Sequence, residues 1–167
     1  MMNLIDRKRR ALALAFTAAA LGTMTLLYAQ SPLNQIGQHL QGAWIADVIT
    51  QSGTQKLLIF FTADGGVISS SPTGLGAQGV QLLTTGYGSW IRTGDREFAA
   101  TTTNLRSFLT GVFNGGSKVR FTLKLNDTLD ELTGPFKTDI FNADGSFAFS
   151  LAGEQRMKRI AVEPLEP

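Results

Sequence analysis

Between residues 118 and 126 the chain reads KVRFTLKLN, and every second position is apolar. Val119, Phe121, Leu123 and Leu125 fall on one side of an extended backbone, with Lys118, Arg120, Thr122 and Lys124 on the other. Side chains of a strand alternate between two faces, whereas a helix would scatter these residues around its axis. The segment therefore predicts a half-buried strand of antiparallel character, four apolar chains against a core. Similar runs of apolar, β-branched and aromatic residues continue from Gly42 onward. They predict strands at about 43–51, 56–63, 67–71, 81–92, 96–104, 106–113, 117–126, 132–141 and 146–159.

The interruptions are as regular as the runs. TADGG (62–66), RTGDR (92–96), FNGGS (113–117) and FNADGS (141–146) each set Gly beside Asn, Asp or a second Gly. Such residues accept the positive φ of tight hairpins, so all four read as turns. The two ADG turns, each preceded by a Phe, read as one turn chemistry used twice. SSSPTGLGAQG (69–79) is the one long connection, an exposed loop or a lid. No internal segment shows helical periodicity beyond a turn or two. PLNQIGQHLQG (32–42) supplies one short helical turn, with Leu33, Ile36 and Leu40 on one side. The pattern predicts an all-β fold: a single antiparallel up-and-down β-barrel of about eight strands with a short N-terminal helical turn, a sandwich being the alternative. Closure leaves no exposed sheet edge.

The first 29 residues change the reading of charge and compartment. MMNLIDRKRR is followed by an apolar run from Ala11 to about Tyr28 and by the small residue Ala29. This fits a bacterial-type secretory signal cut after Ala29. The run also approaches the ~20 residues that span a bilayer, so an uncleaved anchor is the alternative. In both cases Arg7, Lys8, Arg9 and Arg10 hold the N-terminus on the cytoplasmic side. The domain at 30–167 is thus expected outside, secreted or periplasmic, touching a membrane only through an uncleaved segment. The leader holds four of the 15 basic residues and one of the 13 acidic ones, leaving 11 against 12. The domain's own net charge is near −1, which leaves no basic footprint for nucleic acid. There is no cysteine, which excludes disulfides, thiolate metal sites and cysteine nucleophiles. The core must hold the domain, and one of this size buries roughly two-thirds of its unfolded-chain surface.

Gly42-Ala43-Trp44, entering the first predicted strand after a short turn, resembles the Gly-x-Trp signature of lipocalins and the wider calycin barrels. The resemblance implies that Trp44 closes one barrel end and that an arginine of the last strand packs across its ring. Of Arg156 and Arg159, the latter shares the parity of Phe147, Phe149, Leu151 and Met157, the residues read as inward, and is the expected partner. The chain departs from the family in two places. A second Gly-x-Trp stands at Gly88-Ser89-Trp90, and Thr138-Asp139-Ile140 takes the place of Thr-Asp-Tyr, with one strand following instead of two. The spacing of strands and turns is also similar to small barrels of the allene oxide cyclase type, which include cyclases; no motif carries catalytic residues over.

With Trp44 inward, Ala46 and Val48 follow it. Trp90 is read as inward with Gly88, Gly86, Thr84 and Leu82, and Phe98 with Ala100, Thr102 and Asn104. Small residues among large aromatics leave room for one small molecule, or pack together into a filled interior. The candidate ligand-binding residues are Trp90, Phe98, Thr102, Asn104, Phe121 and Phe149. The expected function is binding of a small hydrophobic molecule. One alternative is a cofactor-independent cyclase or isomerase with Asn104 or Tyr87 at the cavity floor. Another is a structural module that oligomerises through an outer face around Ile45, Ile49 and Phe141. Catalytic residues are not identifiable. His39, the only histidine, lies before the barrel and reads as structural. No Ser/His/Asp set can be assembled, and no metal-ligand spacing occurs, NDTLDEL (126–132) lacking the glycine of a calcium loop. No cofactor and no metal are expected, and oligomeric state stays open.

Overall fold

The computed structural model describes residues 38–72, 74–76 and 79–165. The leader at 1–29 lies outside them, as does most of the turn expected at 32–42, of which 38–40 is seen turning into the first strand. Ten strands follow: β1 Gly42–Thr50, β2 Gly53–Phe61, β3 Gly66–Ser70, β4 Gly74–Gly76, β5 Gly79–Leu83, β6 Gly86–Gly94, β7 Glu97–Phe108, β8 Phe113–Leu125, β9 Glu131–Phe141 and β10 Phe147–Arg159. All pairings are antiparallel, and the ring β7-β6-β3-β2-β1-β10-β9-β8 is closed by β7 against β8. The result is an eight-stranded closed barrel. β5 continues the line of β6 along the far end of β7, pairing Gln81 with Phe108 and Leu83 with Arg106, and β4 flanks β5.

Alternation decides which side chains face in. On β8, Phe121, Leu123 and Leu125 are buried, while Lys118, Arg120, Thr122 and Lys124 are on the outside. The ladder carries that parity around the ring, so that Leu125 meets Leu132, Leu132 meets Met157, Met157 meets Ala46 and Ala46 meets Leu57. A one-residue slip anywhere would turn such a row outward, which is why a half-buried barrel fixes its register strongly.

The breaks fall differently from the sequence pattern in three places. The run expected as 81–92 is two strands, and parity changes between them: Gln81 is buried while Leu82 is 40 % exposed, so Leu82 lines no interior. The strands expected at 96–104 and 106–113 are the single strand β7, whose hairpin turns at 109–112. FNGGS is therefore not a turn but the start of β8, where the pairing slips between Leu105 and Ser107. Gly115 has φ +93°, and a Cβ there would meet the Phe141 carbonyl oxygen at 2.0 Å. That glycine answers a bulge and a close approach, the same residue type serving a different need. Within 69–79, read as loop, lies the short strand β4 and the first residue of β5.

The two ADG turns do share one geometry. Thr62 donates its amide to the Gly66 carbonyl at 2.9 Å, and Asn142 does the same to Ser146 at 2.9 Å. The glycines, Gly65 and Gly145, sit at φ +90° and +83°. Outside the barrel, Asp139 joins three strands: it accepts from Arg120 on β8 and from Ser150 on β10 (2.6 Å), with Lys137 of its own strand 3.6 Å away. The Ser150 hydrogen bond, aided by the two cations and opposed by burial, holds its carboxyl below the usual carboxylate value. The opposite wall is apolar. Ile45 pairs with Leu58, and Phe60, Ile68 and Tyr87 form a second outward row across β2, β3 and β6.

Candidate functional site: a barrel closed at one end

One end of the barrel is sealed. Trp44 is fully buried and donates its indole N–H to the Leu40 carbonyl at 2.9 Å. The Arg159 guanidinium carbon lies 4.3 Å from the Trp44 ring centroid. Arg159 also donates to the carbonyls of His39, Gln41 (2.8 Å) and Leu129 (3.3 Å), tying the entering chain and the β8–β9 turn to the last strand. Burial lowers its tendency to hold a proton and the Asp130 charge opposes this; a guanidinium stays charged regardless. Around this plug Leu40, Phe61, Phe98 and Leu132 have no exposure at all.

Just inside lies an aromatic chain. Phe61 and Trp90 meet edge to face at 6.4 Å, and Trp90 and Phe98 at 5.8 Å. Such pairs prefer this T-shaped arrangement, the ring edge of one against the face of the other. Trp90 belongs to the second Gly-x-Trp. Its indole N–H donates to the Thr62 carbonyl at 3.1 Å, anchoring it to the first ADG turn much as Trp44 is anchored to Leu40. Ahead of it Gly88 lets two strands close: a Cβ there would lie 1.7 Å from the Thr101 carbonyl oxygen.

Farther along, the lining changes character. Ala46, Ala100 and Phe121 are still buried, as are Thr102, Thr138, Ser117 and Gln155. Beyond them inward-facing residues become accessible to solvent. Val48, Leu57, Ser69, Asn104 and Val119 are half-buried; Leu151 is 38 % exposed and Phe149 54 %. Leu151 and Phe149 lie where β10 has run past its last β1 partner, Glu154 pairing with Ile49, whereas the half-buried residues lie within the ring. Trp44 and Arg159 close the ring at one end, and the β7–β8 and β9–β10 hairpins stand at the other.

The six candidate lining residues take separate stations along the barrel. Trp90 and Phe98 touch near the floor, Phe121 and Thr102 line the middle, and Asn104 accepts a hydrogen bond from Ser117 higher up. Phe149 stands on the rim. Its neighbour Phe147, read as inward, pairs with Phe141 on the outside (ring centroids 6.3 Å), because a bulge between Phe147 and Phe149 reverses the parity. Tyr87 is on the outer wall, 65 % exposed, and so is no floor residue. Ile45 and Ile49 face out from β1, and the exposed His39 contributes only its carbonyl to the plug.

Sequence reasoning missed two polar residues. Arg106 follows Asn104 on the inward row of β7 near the open end. It donates Nη2 to the Phe141 carbonyl at 2.7 Å and Nη1 to the Gln81 side-chain oxygen at 3.3 Å. Its Nε is buried without a partner, and so is Nε2 of Gln155 on β10. Burial lowers the Arg106 proton affinity from its ordinary value, though not enough to discharge it. The signal was present in the alternation: extending 98, 100, 102, 104 by one step reaches 106. Among the described residues no group of three or more His, Asp or Glu is placed to hold a metal ion. Compared with family models, with curated proteins and with solved structures, the chain has no significant match in any of the three.

Proposed function

We propose that this chain is an exported, lipocalin-like barrel that binds one small hydrophobic molecule in its open cup. The observation that supports the reading is the gradient along the inward face. Residues of the same parity go from no exposure at Trp44 and Phe98 to half-burial at Val48, Leu57 and Val119, all within the ring. On this reading the half-buried inward residues border a small apolar space above the aromatic floor, suited to a ligand that displaces water from it. The Gly-x-Trp with its arginine and the basic, apolar leader support the lipocalin-like and exported parts of the reading.

Fluorescence titration of the full chain with the neutral dye N-phenyl-1-naphthylamine tests it. Saturable binding of one dye per chain is expected, together with a co-purified small molecule in native mass spectra. Val119 faces inward where solvent reaches it, so Val119→Trp narrows the cup without crowding the buried floor. That variant should bind the dye at least ~10-fold more weakly, a loss of about 1.4 kcal/mol. A chain that neither binds the dye nor carries a small molecule sinks the reading.

A further inference from the structure

β10 is longer than the strand on one side of it. Its pairing with β1 ends at Glu154 opposite Ile49, while its pairing with β9 runs on to Phe147 opposite Phe141. Among the described residues no strand pairs with the β1 side of β10 between Phe147 and Ala152. Gly153 marks the limit: a Cβ there would meet the Ile49 carbonyl oxygen at 2.1 Å, so β1 still occupies that place. Before it β10 has a free edge, into which every second residue turns its backbone N–H and C=O.

Exposed edges are usually blunted by a lysine, a proline or a bulge. Here a bulge lies at the start of the free run, between Phe147 and Phe149. The run itself, Ala148-Phe149-Ser150-Leu151-Ala152, holds no charge and no proline, and all five residues are exposed. Its residue types also read alike in both directions: small, large and apolar, serine, large and apolar, small. An antiparallel copy centred on Ser150 therefore sets Ala148 against Ala152 and Phe149 against Leu151, each pair twice. Cross-strand pairs share a face, so Phe149 and Leu151 of both strands gather on one side, with serines and alanines on the other. Nor does β1 obstruct the copy, whose own β10 starts at Phe147 and reaches no farther than Gly153. A foreign strand would have to supply this match of sizes; a second copy has it already.

We propose that two copies of this chain join their β10 edges about a two-fold axis at Ser150, continuing the sheet of one barrel into the next. The contact is isologous and closes on itself, which makes a dimer and not a fibre. Backbone hydrogen bonds hold the two edges together, and the Phe149–Leu151 pairs shield them from water. The Ser150 hydroxyl already donates to Asp139 at 2.6 Å and asks nothing of the second copy.

Sedimentation equilibrium of the full chain should show a concentration-dependent dimer. Because the chain has no cysteine, Ser150→Cys introduces a single thiol. Residues opposite each other across an antiparallel pair have Cα atoms ~4.5–5.5 Å apart, within reach of a disulfide. Air oxidation of Ser150→Cys should give a covalent dimer that a reductant dissolves, while Thr103→Cys, on the outer wall of β7, should stay monomeric on the same gel. Leu151→Lys places a cation on the edge twice across the two-fold axis and should weaken the dimer at least ~10-fold. Phe149→Lys, also at an exposed position, gives the same readout if the first variant does not fold. A chain that stays monomeric up to ~100 μM overturns the proposal. So does a dimer that keeps its affinity in both lysine variants, or one in which Ser150→Cys cross-links no better than Thr103→Cys.

Discussion

At the scale of single residues, Arg159 does more than any other side chain to seal the barrel. It stacks on Trp44 and gathers three carbonyls from segments far apart in sequence. Arg159→Ala removes the ring contact and strands those carbonyls, two effects that a stability measurement sums. The expected loss is about 2–4 kcal/mol, since hydrogen bonds to a charged group and a cation–π contact each contribute on the order of 1–3 kcal/mol and overlap here. Arg159→Lys should recover less than half, because one ammonium cannot follow the planar fork. Urea unfolding followed by tryptophan fluorescence reads both numbers. A loss under about 0.5 kcal/mol for the alanine variant would mean that the plug is ornamental. Trp44 and Arg159 stand out in the sequence because each has a short motif or a fixed parity. Arg106 did not, because it opens the separately expected strand 106–113 and so falls outside the inward row of 98, 100, 102 and 104.

At the scale of elements, the strands were legible wherever one face is apolar and the other charged, as in β8 and β10. They were illegible where the interior itself turns polar. Asn104 and Arg106 face inward, so the apolar alternation of β7 breaks there, and FNGGS with its two glycines reads as a stronger turn than 109–112 with one. Glycine is ambiguous in this way: it marks a turn at Gly145, a bulge at Gly115 and a tight strand contact at Gly88. The last case gives a sharp test. A Cβ at Gly88 would meet the Thr101 carbonyl oxygen at 1.7 Å and the Thr102 Cα at 2.8 Å, both backbone atoms that cannot rotate away. Gly88→Ala must push β6 from β7, and overpacking of this kind costs about 1–3 kcal/mol. For a domain of this size that is a melting temperature lower by roughly 3–12 °C. An unchanged melting temperature would show that β6 and β7 do not approach as closely as the pairing requires.

At the scale of the whole molecule, sealed and open ends predict unequal local stability. Opening the sealed end exposes Trp44, Phe61, Phe98 and Leu132, all without solvent contact in the fold. Opening the other end exposes side chains that already meet water, such as Val48, Leu57 and Val119. The free energy of local opening follows the apolar surface newly exposed, so the two ends belong to different cooperative units. Hydrogen exchange measured by mass spectrometry should find the amides of 44–46, 123–125 and 157–159 exchanging only through global unfolding. Those of 48–50, 55–57 and 105–108 should exchange at least ~30-fold faster, a difference of about 2 kcal/mol. A small hydrophobic ligand bound as proposed touches only the open end, so it should slow the second group and leave the ratio among members of the first group unchanged. Uniform protection around and along the barrel would contradict the gradient and describe a molecule packed to the same depth at both ends. With it would go the reason for expecting a ligand at all, since the same inward residues carry both inferences.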